Sequence, residues 1–407
     1  MRRQIRLQII SRMKQSAAPP PFAVFFPLAA LDAIMVGFGW LAVLPTQGSP
    51  WTIAQAVEWH EQELLFGFVA AAMAGFLLTA LPRWTGRPLL SGAVPAFLVC
   101  WIAARVAPAH PWPLAMIRAL PAVALAGLAA FHVFRAEDVR NRKIVLLLTL
   151  YALSGLVLAG PFSPQQREFA IHAAIAALIG LIAVIAGRVL PALTARFDEL
   201  CGAPASAPRA EAIEGIEGIV AAVTIAALCG WLVTPEGAVC AFLLLAGGAS
   251  QCWRMASWVG QRTFASPPLV ALYAAYGAVP LGFFLLALHA LFPDATPANA
   301  GLHVWTIGGF GGMSLAIMES MIRKRCQRAF TPSPGAEAAV ALCLGAAAAR
   351  VFAAFFAEAQ AFLVISAMAW SAAFALFLFA SGASLYQAAV MRGPEAPRRD
   401  PRTENRS

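Results

Sequence analysis

The sequence predicts an all-α, polytopic integral membrane protein with about twelve transmembrane helices, and three observations predict it. First, 60% of the 407 residues are hydrophobic and only 12% are charged, where soluble domains carry about 25% charged residues. An Asp, Lys or Arg at the centre of a membrane helix costs roughly 2.5–3.5 kcal/mol, so a chain that lives in lipid discards them. Second, the apolar residues form continuous runs of helix length, rich in Ala, Leu and Gly. Lipid leaves backbone polar groups no partners outside the chain, so only helices and closed barrels cross it. A barrel would show alternating segments of roughly ten residues instead. Third, the basic residues are distributed with a strong side bias.

Read with a ruler of about 20 residues per crossing, the spans fall near 22–44, 64–82, 88–107, 112–134, 143–161, 169–191, 214–233, 236–256, 268–292, 299–322, 335–357 and 360–390. The last is too long for one straight crossing and is expected to end in the interface. With twelve crossings, all but four of the 29 Lys and Arg residues fall in the two terminal segments or in the loops on the same side. The four exceptions are Arg105, Arg118, Arg167 and Arg350. The positive-inside rule then places both termini in the cytoplasm, and a wrong span count would scramble the bias. The net charge of +9 is accounted for in this way, so the composition implies a lipid partner and no nucleic acid.

The organisation that follows is a basic cytoplasmic N-terminal segment over 1–21, a transmembrane domain over 22–390, and a Pro- and charge-rich tail over 391–407 that is expected to be disordered. The start resembles the basic front of a signal peptide, but Pro19 to Pro21 and a full span follow it, so it reads as retained. The longest hydrophilic loops are 45–63 outside and 192–213 inside. Seven cysteines without a CxxC pair, in apolar runs or near basic loops, predict no disulfide framework.

Polar chemistry has few places to sit. His60, at the start of span 2, lies on one helical face with Glu63, Leu64, Gly67, Ala71 and Gly75. The small residues let a neighbouring helix approach closely, which turns His60 toward a packed interface. His172 opens span 6 and His303 opens span 10, at similar depth. Neutral imidazole suits haem iron, copper and zinc, with Glu63 a candidate partner for a second ring nitrogen. Each histidine also has the plain reading of a residue at a membrane–water boundary, as do His110, His132 and His289. Asp32, Arg118, Glu319, Arg350 and Glu358 fall within or near spans, where ionisable groups are often functional; their pairing is not readable from sequence. Gly308, Gly309, Gly311 and Gly312 are expected to serve close helix packing. No strand precedes them, which argues against a phosphate loop.

The stretch from Trp59 to Gly92, WHEQELLFGFVAAAMAGFLLTALPRWTGRPLLSG, resembles the hallmark of the NnrS family, WHxHEMLFGF…AGFLLTAxPNWTGRPPLxG. Gly187 to Pro191 followed by Thr194 resembles its GGRVIPxFT. Pro267 to Gly282 resembles its PLxxxLHxxYxWxxLG, and His303 to Met318 its HALTVGAIGTMTLAVM. The resemblance implies a multi-pass protein of the bacterial cytoplasmic membrane that contains haem and copper and is linked to nitric oxide metabolism and nitrosative stress, with His60, His172 and His303 as ligands. Gln62, Tyr273 and Arg325 stand where the family pattern has histidine, which implies fewer cofactors or none. Two other readings stay open. One is a permease or metal-delivery protein without a redox centre, using Asp32, Glu319, Glu58, Glu61 and Glu63. The other is an assembly subunit acting through partners.

Overall fold

A computed structural model describes residues 19–43, 52–109, 112–136, 139–203, 207–356 and 360–390, of which 207–216 as backbone alone. His110, Glu358 and the tail over 391–407 lie outside the described residues. Among those residues there is no strand. Twelve helices follow one another: α1 (Pro21–Val43), α2 (Ile53–Thr85), α3 (Ala93–Val106), α4 (Leu114–Arg135), α5 (Val139–Ala159), α6 (Pro164–Leu200), α7 (Ala207–Val233), α8 (Ala238–Trp258), α9 (Pro267–Leu291), α10 (Ala298–Arg325), α11 (Pro334–Phe355) and α12 (Gln360–Val390). Ten are long and apolar enough to cross a membrane. The other two, α3 and the apolar part of α7 (Glu217–Val233), are shorter. At 14 residues, α3 rises only about 21 Å, because Gly92 at φ +84° starts it five residues later than the apolar run suggests.

Two expected loops are partly helical. Residues 53–63 continue α2 outward from the apolar run, because Thr52 and Gln55 form a reciprocal capping box that satisfies the first free amides. At its other boundary α6 runs 37 residues to Leu200. Its start is capped by Ser163 and Gln166, and Gly202, at φ +71°, lies just past its end.

The bundle closes on itself. Consecutive helices pack side by side for most of the chain, α2 packs on α4, and α12 returns to lie along α1. Trp370 of α12 donates its indole N–H to the Ala33 carbonyl of α1 at 2.9 Å, which ties the two ends of the chain together. The most buried of the ten long helices are α2, α6 and α10, the three that carry His60, His172 and His303. The glycines of α10 do what their spacing suggests. A Cβ on Gly308 would lie 2.9 Å from that of Ala278, and one on Gly311 2.5 Å from the Trp370 ring. Gly75 likewise admits the Phe26 ring of α1 at 2.5 Å. All seven cysteines are free thiols.

Candidate histidine site and its ion cluster

Helices α2 and α10 are not uniform. Leu64–Phe68 and Val304–Gly311 are π-helical, so one such segment begins just after Glu63 and the other just after His303. Single π turns inside α-helices are rare and concentrate at functional sites. A widened turn leaves backbone carbonyls that need partners from elsewhere. In the first segment Tyr151 donates to Leu65 O at 2.5 Å, Arg105 to Phe66 O at 3.4 Å and Trp101 to Gly67 O at 3.0 Å. In the second, the Cys343 thiol donates to Ile307 O at 3.2 Å.

The two segments meet. Phe68 and Phe310 stack edge to face at 6.0 Å, eight and seven residues beyond His60 and His303. The histidines thus stand at matching depth above one contact. His303 Nδ1 donates to Asn299 O at 2.7 Å, which fixes the tautomer and leaves Nε2 as the acceptor. His60 lies against the Trp40 ring at 4.5 Å, and its buried Nδ1 has no hydrogen-bond partner among the described residues. An orphaned buried polar atom of this kind costs about 1–3 kcal/mol.

His172 is at the same end. Its ring packs on Trp231 at 4.8 Å, and Trp231 packs on Trp305 at 5.4 Å. Glu63 does not turn to His60: its two oxygens face Arg105 and Arg118, the latter at 3.6 Å. Among the described residues no group of three or more His, Cys, Asp or Glu is placed to hold a metal. Two imidazoles at this depth suit a group that takes protein nitrogens, such as haem iron or a copper ion completed by exogenous ligands.

Around this pair gather the four basic residues that depart from the side bias. Arg105 pairs with Glu63 and lies 3.8 Å from Asp32. Arg118 faces Glu63. Arg167 pairs with Glu58 at 2.5 Å and donates to Leu158 O at 2.6 Å. Arg350 lies on α11, which packs beside the His303 helix α10. Asp32, Glu63, Arg105 and Arg118 make a buried, charge-balanced quartet drawn from α1, α2, α3 and α4. Gly67 makes room for it: a Cβ there would overlap the Arg105 guanidinium and lie 2.8 Å from Asp32 Oδ2. Position alone did not reveal the quartet, although two of the four exceptional arginines, Arg105 and Arg118, belong to it.

Other candidates have structural partners. Glu319 holds Arg323 at 2.8 Å and accepts from Ser381, and Arg323 also reaches Glu337 at 2.8 Å. His289 Nδ1 is bonded to Thr296 O at 2.7 Å. His132 is buried on α4, toward the opposite end of the bundle. Tyr273 and Arg325, two of the three positions without the family-pattern histidine, also sit at that opposite end, where Tyr273 shares a 3.0 Å hydrogen bond with Thr194. Only Gln62, buried beside Glu63, belongs to the His60 end. Gly187 gives space to the guanidinium of Arg254, which pairs with Glu217 and donates to Ala183 O at 2.8 Å.

No curated protein matches the chain. The family model described as NnrS protein matches residues 18–388, nearly the whole helical bundle, and the chain therefore belongs to the NnrS family.

Proposed function

We propose that this NnrS-family membrane protein binds haem and/or copper at His60 and His303, and that it acts in nitric oxide metabolism or resistance to nitrosative stress in a bacterial cytoplasmic membrane, with both termini cytoplasmic. The observation that carries the reading is the placement of two imidazoles just before two π segments that meet at Phe68 and Phe310, one nitrogen orphaned and the other ring pre-oriented. Bound iron or copper supplies one-electron chemistry and affinity for nitric oxide. The chain's own part is to fix the imidazoles. Asn299 O sets the His303 tautomer, and Trp40 sets the plane of His60.

The test is an optical spectrum and metal analysis of the protein purified in detergent. The wild type is expected to show a reduced-minus-oxidised haem signal, bound copper, or both. His60→Ala and His303→Ala are each expected to remove most of the bound metal, whereas His172→Ala, whose ring packs on Trp231, retains it. A colourless, metal-free wild type after haem and copper are supplied during expression overturns the proposal, as does full retention in both variants.

A second reading, a cation or proton path without a redox centre, draws on one observation: Asp32 Oδ2 is buried with no hydrogen-bond partner among the described residues. Glu319, tied to Arg323 and Ser381, does not belong to such a path. Asp32→Asn abolishing uptake by reconstituted vesicles, in a protein that carries no metal, would favour this second reading.

A further inference from the structure

Of the four basic residues at the His60 end, three have their counter-groups: Arg105 and Arg118 face Glu63, and Arg167 holds Glu58. For Arg350 no hydrogen-bond or ion-pair partner is seen among the described residues. Its position is set by how α11 runs beside α10. Leu344 lies against Gly312 and Gly308, the Cys343 thiol reaches Ile307 O, and Ala347 lies against Gly308. The two helices are antiparallel, so one turn further along α11 is one turn back along α10. That brings Arg350 level with the turn that holds His303. A half-buried guanidinium in a membrane helix with no carboxylate partner among the described residues is costly, and intramembrane charges mark substrate and ion sites.

We propose that Arg350 completes the His60–His303 site as its anion-recognition residue, holding a carboxylate or small oxyanion beside the two imidazoles. The planar guanidinium fork matches a carboxylate or an oxyanion through two parallel N–H donors, which an ammonium cannot reproduce. The inference rests on the reading of His60 and His303 as ligands for the group the anion accompanies. The anion has two sources with one chemistry, a free oxyanion that enters the site or the carboxylate arms of a bound haem.

The experiment compares wild type, Arg350→Gln and Arg350→Lys, each purified in detergent at fixed ionic strength. Sodium nitrite and sodium formate are the probes, followed by calorimetry and by the optical spectrum, and haem and copper content is measured after washing. If the anion is free, Arg350→Gln keeps its metal but binds nitrite and formate at least about tenfold more weakly, and Arg350→Lys recovers only part of the loss. If the anion belongs to haem, Arg350→Gln loses haem on washing while the wild type retains it, and neither probe binds the haem-loaded wild type. Either result supports the assignment. Equal probe affinity and equal cofactor content in all three proteins overturn it, and Arg350 is then a residue that reaches out to interfacial water. Failure of the metal reading is told apart by the wild type alone. If that protein holds no metal, the same titration on metal-free wild type and Arg350→Gln still tests the arginine, and equal affinities overturn it there too. Arg350→Lys keeps the charge and length of the side chain, so a folding defect confined to Arg350→Gln does not decide the outcome.

Discussion

Arg105→Gln is expected to lower the stability of the bundle by about 3–5 kcal/mol, the usual cost of removing one partner from a buried ion pair. The reason is charge arithmetic within the quartet. Asp32 and Glu63 are balanced by Arg105 and Arg118, and all four side chains are largely shielded from water. Without Arg105 one negative charge is left uncompensated in a medium that cannot solvate it. Glu63→Gln makes the opposite error and leaves one positive charge. The double variant Glu63→Gln/Arg105→Gln removes both partners of the closest ion pair together and leaves the net charge of the cluster unchanged. Its loss is therefore expected to be well below the sum of the two single losses. Thermal unfolding in detergent, followed by circular dichroism, measures all three. Strict additivity would show that the four groups do not act as a unit. Arg105 also donates to Phe66 O inside the first π segment, so Arg105→Gln is further expected to weaken cofactor retention at His60. The neutral double variant does not restore that hydrogen bond and is expected to recover stability more fully than cofactor.

The quartet also shows how far the sequence could be read. Twelve apolar runs became twelve helices, because lipid forces each run to satisfy its own backbone and leaves little freedom in the outcome. The ends were less legible. Thr52–Gln55 and Ser163–Gln166 capping boxes carried α2 and α6 beyond the stretches that hydropathy marks, since a cap depends on a few polar atoms and not on apolarity. The depth of His60 and His303 was readable from their places in the spans. Their pairing was not, because it depends on which helices lie side by side.

Glu63 is the instructive case. Three residues after His60, it reads as a natural hydrogen-bond partner for the imidazole. The structure gives it to Arg105 and Arg118, residues 42 and 55 positions away. A carboxylate in lipid answers to the strongest available charge and not to the nearest polar neighbour. The four arginines left over from the side bias were the visible trace of this, since a basic residue on the disfavoured side requires a local reason. The π segments left no comparable trace. Leu64–Phe68 and Val304–Gly311 are apolar and glycine-containing, as many α-helical membrane segments are. What distinguishes them is the set of donors that other helices bring to their carbonyls.

Those donors and the glycines around them set up the contrast expected on α9 between Gly282 and Gly277. A Cβ on Gly282 would overlap the Trp305 indole, with Cγ only 2.8 Å away. Trp305 is fully buried, donates to Val279 O at 2.8 Å, and is enclosed by Phe283 and Trp231, so its ring has nowhere to go. Gly282→Ala is expected to destabilise by about 1–3 kcal/mol through overpacking, with roughly 1 kcal/mol more if the indole hydrogen bond is lost. Trp305 lies in the second π segment, two residues past His303, so the same change is expected to disturb the imidazole and reduce metal content. Gly277, five residues earlier on the same helix, has nothing within 4 Å of an added Cβ. Gly277→Ala should therefore be neutral or stabilise by about 0.5–1 kcal/mol, because alanine loses less backbone entropy in a helix than glycine. Unfolding midpoints and metal content of both variants measure the contrast, and Trp305→Phe in the Gly282→Ala background should recover part of the stability by shrinking the ring. Equal behaviour of the two alanines would mean that α9 and α10 can slide apart freely. The second π segment would then not be held in register by Trp305.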